Sequence, residues 1–151
     1  MKSKRILIGA LVLSLLFLCV SVLAQVNRSY RNGSVWSIAF IKVKPGMQEA
    51  YMNYLTGQWK ATQEASKKEK LILSYKVLTT EAHDSDDWNM LLLTEYKDLA
   101  TMEANEPKED VLAQRMVGDD QKQIQGYKER SEIREVRGTR LAREIILEPR
   151  Q

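Results

Sequence analysis

The ten residues VWSIAFIKVK, Val35 to Lys44, constrain this chain more than any other stretch. Valine, isoleucine, phenylalanine and tryptophan favour the pleated state, and Pro45-Gly46 ends the run. The strand expected over Val35–Val43 is apolar on both parities. Val35, Ala39, Ile41 and Val43 form one row, and Trp36, Ile38 and Phe40 form the other. An antiparallel strand with one wet face alternates apolar with polar side chains. This one does not, so each of its faces needs a cover.

The rest of the chain supplies one cover. From about Met47 to Lys67, the residues Met47, Tyr51, Tyr54, Leu55, Trp59 and Thr62 recur at three- and four-residue steps, the signature of a helical face. Lys67, Lys68 and Lys70 follow, suiting the negative pole of the helix dipole. A second strand is expected over Leu71–Thr79. A third is expected over Trp88–Tyr96, where Trp88, Met90 and Leu92 oppose Leu91 and Leu93. Asp98 is placed to cap a second helix. The stretches EPKEDVLAQRM and DDQKQIQGYKERSEI read as further helical pieces, broken near Val117-Gly118, with Asp119 and Asp120 suiting the start of the later one. A fourth strand lies in GTRLAREIILEP, closed by Pro149.

That order is the βαββαβ pattern of a ferredoxin-like α+β fold, with helices on one face of an antiparallel sheet and an extra helical segment before the last strand. The second face would then be an apolar patch larger than soluble monomers usually expose. The sheet of an identical subunit is the simplest cover, which predicts a homodimer closing into an α+β barrel.

Residues 1–24 stand apart. Lys2, Lys4 and Arg5 precede an apolar run from Ile6 to Val20, and Val22-Leu23-Ala24 fits a signal-peptidase site. The expectation is a cleaved secretory signal over 1–24, a polar lead-in over 25–33 and the barrel domain over 34–151. It implies a periplasmic or secreted protein with no stable membrane anchor after cleavage. Cys19, the one cysteine, leaves with the signal, so the remaining domain has neither disulfide nor thiol nucleophile. The formal charge of +3 also leaves, since the three basic residues of the signal account for the excess over 20 acidic ones. A neutral domain gives no electrostatic case for nucleic acid.

Two segments carry a resemblance. IKVKPGMQEAY resembles the strand-turn-helix opening of the dimeric α+β barrel superfamily, which includes the antibiotic-biosynthesis-type monooxygenases. LLLTEYKDLATM is similar to their third strand running into the second helix, with Glu95 and Tyr96 at the family's acidic and aromatic positions. The likeness spans Val35–Asn105 and the last strand, and extends to uncharacterised exported bacterial proteins sharing KPG, DDWN, LLLTEY and RLARE. It implies a homodimer that holds ligands between sheet and helices. The monooxygenase members commonly carry a histidine on the second helix where this chain has Asn105, and that departure weakens the case for their chemistry.

Ser37, Ala39 and Ser74 are small residues on otherwise bulky strands. If they face the helices they leave either a pocket, with Trp59, Tyr75, Asn89 and Glu95 at its walls, or simply close packing. The ligand-binding candidates are therefore Ser37, Trp59, Tyr75, Asn89, Glu95 and Asn105. Glu95 lies in an apolar strand and needs a partner. A proton-moving base and an ion pair with Arg140 or Arg143 both fit. His83, the single histidine, sits in HDSDDW; a hard-cation loop and a solvated turn are both possible, and the spacing is not that of a calcium loop. No phosphate loop or GxSxG motif is present, and no metal or cofactor is expected. The functions that remain are a binder of a small, largely apolar molecule, a cofactor-independent monooxygenase- or isomerase-like enzyme, and a structural protein with no pocket.

Overall fold

The computed structural model describes residues 29–84 and 86–148. The signal expected over 1–24 and the closing Pro149 lie outside them. The chain divides into two units, Asn32–Ile146 and a smaller one made of its two ends. In the described part of the smaller unit, Glu148 N donates to Ser29 O at 2.9 Å, and Arg31 Nε meets Glu148 Oε1 at 2.9 Å.

The strands are β1 (Tyr30–Val43), β2 (Ser74–Thr79), β3 (Met90–Tyr96) and β4 (Arg134–Leu147), in the sheet order β2-β3-β1-β4. The helical elements are α1 (Gln48–Tyr54), a π-helical turn over Leu55–Trp59, α2 (Lys60–Lys68), α3 (Leu99–Met116) and α4 (Asp120–Ile133). This is the ferredoxin-like α+β fold, with α4 as the added segment. β1 and β4 are longer than the sequence suggests: β1 begins at Tyr30 rather than Val35, inside the polar lead-in, and β4 begins at Arg134.

Local chemistry sets most boundaries. Lys44 to Met47 close a turn, with Met47 N donating to Lys44 O at 3.0 Å and Gly46 at φ 76°, where a side chain would be strained. Asp98 caps α3 by accepting from Thr101 N at 2.7 Å, and Asp119 caps α4 by accepting from Lys122 N at 3.0 Å. Gly118, at φ 118°, stops α3. The two pieces expected before it are one helix: α3 runs through Pro107, which interrupts the hydrogen-bond ladder on an exposed stretch without breaking it.

β2 begins at Ser74, not Leu71. The end of α2 explains the difference. Lys70 adopts φ 60°, Lys70 N donates to Lys67 O, and Leu71 N donates to Ser66 O at 2.9 Å, the paired bonds of a Schellman stop. That stop drives Leu71 and Ile72 into a small core with Leu112 of α3 before the strand starts.

Register decides which face is covered. On β1 and β3, Ala39 lies opposite Leu92 and Ile41 opposite Met90; on β2, Val77 lies opposite Leu92. These share a face with Val35 and Val43. Ile41, Val43 and Met90 pack with Tyr51 of α1 and Leu55 of the π-turn into the main core, where each large apolar side chain contributes about 1.5–3 kcal/mol by burial. The other face carries Trp36, Ile38 and Phe40 of β1, Leu91, Leu93 and Glu95 of β3, and Ser74, Lys76 and Leu78 of β2. Among the described residues no helix-side core residue packs there; the apolar side chains of β1 and β3 on this face are half-buried.

Candidate functional site

A cleft of about 280 Å³ opens between α2 and α3 above β3. Its floor comes from Thr94 and Tyr96, the β3 parity that faces the helices with Met90 and Leu92. Gln63 and Ser66, one turn apart on α2, form one wall. Glu109 of α3 forms the other, one turn after Asn105 and three residues before the buried Leu112, so all three lie on the sheet-facing stripe of the helix.

The polar groups here are partly desolvated. Burial, and then the nearby Glu109 charge, push the Tyr96 hydroxyl up to about 12. Burial also raises the Glu109 carboxyl above its ordinary value, helped by Asp110 and Glu106. Gln63 Oε1 and Glu109 Oε1 are both buried without a hydrogen-bond partner among the described residues. Buried acceptors are normally satisfied, and each exception asks for an explanation. With Asp110 also at the rim and no lysine or arginine among the described residues of the lining, the cleft suits a group that donates hydrogen bonds.

The structure distributes the six sequence candidates among different jobs. Ser37 is half-buried on the helix-side face, in the same cross-strand row as Thr94 and Tyr75. Tyr75 meets Trp59 edge-on with ring centroids 5.3 Å apart. Its hydroxyl donates to Glu64 Oε1 at 2.5 Å, and this bond is the main reason its pKa is raised. Asn105 is buried on α3 and accepts from Lys108 Nζ at 3.4 Å.

Two candidates are used elsewhere. Asn89 clasps the end of β1: its Oδ1 accepts from Val43 N at 2.9 Å and its Nδ2 donates to Val43 O at 3.5 Å. Glu95 lies on the face away from the helices, beside Trp36 and Ser74, and accepts a short hydrogen bond from Ser74 Oγ. Ser74 therefore does not share a pocket wall with Ser37 and Ala39, and the partner of Glu95 is a hydroxyl rather than Arg140 or Arg143. The correction follows from register: an odd position on β3 cannot share a face with Thr94 and Tyr96.

The loop around His83 is held by its own carboxylates and by Lys42 of β1, whose Nζ donates to Asp86 Oδ1 at 3.3 Å. Asp84 Oδ1 accepts from Asp86 N at 2.7 Å, Asp87 Oδ2 from His83 N at 3.2 Å, and Asp87 Oδ1 from Trp88 N at 2.8 Å. These are side-chain-to-backbone turns. Among the described residues no three His, Cys, Asp or Glu side chains converge as a metal site.

The cleft residues Gln63, Ser66, Thr94 and Glu109 are not among the candidates read from the sequence. The parity of Thr94 with Met90, and the one-turn step from Asn105 to Glu109, were the available signals. They acquire meaning only once the covered face is known.

No protein-family profile matches the chain, and no curated protein does. Among solved structures, it is similar to a dimeric ferredoxin-like protein from an uncultured marine organism, at 11% identity and a TM-score of 0.48, covering 77% of this chain and 96% of that one. A second is a dimeric protein of unknown function and ferredoxin-like fold from Bacteroides fragilis, at 15% identity and a TM-score of 0.38, covering 78% of this chain and 98% of that one.

Proposed function

We propose that this chain is a homodimeric binding protein that holds a small organic molecule in the cleft between α2 and α3. The observation that carries the reading is the pair of unpartnered buried acceptors, Gln63 Oε1 and Glu109 Oε1, bordering one cleft with the Tyr96 hydroxyl. A ligand with an apolar body and a hydroxyl or amine would satisfy both and recover the cost of leaving them bare, about 1–3 kcal/mol each. The dimer rests on the apolar side chains of the open sheet face, which a second copy of that face would bury. Export rests on the pattern of residues 1–24, and N-terminal sequencing of the chain from its host checks cleavage after Ala24.

Native mass spectrometry of the protein and of Glu109→Gln and Gln63→Leu variants tests the reading. The expected result is a dimer carrying one small added mass per chain, with occupancy reduced in both variants. A dimer with no added mass removes the ligand from the reading, and a monomer removes the assembly.

One observation favours a cofactor-independent enzyme as a second reading. The raised Glu109 carboxyl beside Tyr96 places a proton donor or acceptor at the cleft. Conversion of the bound compound by the parent, with Glu109→Gln still binding it but not converting it, would select this reading over the binder.

A further inference from the structure

A second cavity, of about 290 Å³, lies between the π-helical turn and α4, and its chemistry is the opposite of the cleft just described. Tyr54, Trp59 and Tyr127 supply aromatic walls, Gln58 and Gln123 supply amides, and among the described residues Arg130 is the one charged side chain in the lining. The Arg130 guanidinium lies 5.0 Å from the Tyr54 ring centroid. Its Nε is buried with no hydrogen-bond partner, and among the described residues no ion pair involves it. Arg134 stands nearby in the same condition, 5.8 Å from the Tyr51 and Tyr127 ring centroids, its Nε also unpartnered.

Two guanidinium groups set among aromatic rings, with no carboxylate paired to them among the described residues, are an unbalanced arrangement. Aromatic faces offset part of the desolvation of a cation, but a bare Nε donor in a low-dielectric site calls for an anion. Gly126, one turn before Arg130, leaves the room that the guanidinium uses: a Cβ there would sit 3.0 Å from Arg130 Nη1. The π-helical turn adds a distortion of the kind that recurs at functional sites, and it carries both Gln58 and Trp59 into the lining.

We infer that this cavity binds a planar organic anion, an aromatic carboxylate of one or two rings, with Arg130 pairing the carboxylate and Trp59 and Tyr127 holding the ring. The fork geometry of arginine matches a carboxylate and stacks on aromatic surfaces, which a lysine would not do as well. This site is separate from the cleft between α2 and α3; Thr62 borders both, but Glu109, Tyr96 and Gln63 line only the cleft.

Calorimetric titration of the full chain with naphthoate and with its neutral isostere naphthamide tests the inference. Naphthoate should bind roughly ten- to a hundredfold more tightly than the amide, the range for a hydrogen bond to a charged group. Arg130→Gln should bring the acid down to the level of the amide. Tyr127→Ala, at a largely exposed ring, should weaken both ligands while leaving the circular dichroism of the fold unchanged. Glu109→Gln should leave naphthoate binding untouched, which separates this site from the proposed cleft. Equal affinity for acid and amide overturns the inference, as does no binding by the folded parent at millimolar naphthoate. Undiminished binding by Arg130→Gln does the same. If Arg130→Gln does not fold, the acid-to-amide ratio of the parent and the Tyr127→Ala result decide.

Discussion

On the helix side of the sheet, Ile41 and Met90 are each 1% exposed. One residue along the same strands, Phe40 and Leu91 point the other way and remain half-buried, and Leu78 beside them on β2 is 48% exposed. The residues are of similar apolarity, so the difference does not come from their type. It comes from what the described residues place over them. The polar groups run the opposite way. On the open face Glu95 is satisfied by Ser74, and Lys76 Nζ rests 5.0 Å over the Trp36 ring. On the covered side Gln63 and Glu109 keep bare acceptors. Among the described residues, one face has finished polar chemistry and an uncovered apolar surface; the other has a finished apolar core and unfinished polar chemistry. A partner sheet would complete the first and a ligand the second.

The largest expected effect comes from the covered face. Ile41→Ala should destabilise the fold by about 2–5 kcal/mol, read as a lower urea midpoint. A loss under about 1 kcal/mol would erase the contrast between the faces. Next comes Leu93→Lys on the open face. It should raise the dimer dissociation constant by about a hundredfold, near 3 kcal/mol, in sedimentation equilibrium. The far-ultraviolet spectrum should stay unchanged. A dimer of undiminished affinity would place the interface elsewhere.

Ser74→Ala should cost about 1 kcal/mol, because it removes the hydroxyl that satisfies Glu95. The smallest effect is a pH dependence. The Glu109 carboxyl is raised in the fold, so the folded state holds this proton longer than the unfolded chain does. Its contribution is present at pH below the ordinary carboxylate value and is lost as pH rises through the raised one. Glu109→Gln should therefore flatten the decline of melting temperature across that window. An unchanged profile would mean that the carboxyl is not desolvated. At the alkaline end, Tyr51 and Tyr96, both pushed up to about 12 mainly by burial, should ionise well above the ordinary tyrosine value in an absorbance titration.

Much of the fold was legible because its signals are local. The caps at Asp98 and Asp119, the stop at Gly118 and the turn at Pro45-Gly46 each depend on a few neighbouring residues, and each appears where the sequence places it. The misreadings have non-local causes. Leu71 and Ile72 have strand-like composition, but the Schellman stop and Leu112, distant in sequence, claim them for a core. Pro107 ends a helix by local rule, yet α3 continues through it. Glu95 stands out as a carboxylate in an apolar strand, but its parity sends it away from the cleft.

The chain by itself therefore determined its order of strands and helices, its helix caps and stops, and the two apolar rows on each inner strand, because periodicity and capping act over a few residues. Tertiary structure decided which row the helices cover, that Glu109 rather than Glu95 meets a tyrosine above the sheet, and that two unpaired arginines gather around Tyr51, Tyr54 and Tyr127. Those outcomes depend on cross-strand register and on helices far apart in sequence. A two-residue period fixes which side chains share a face and leaves open which face becomes the inside.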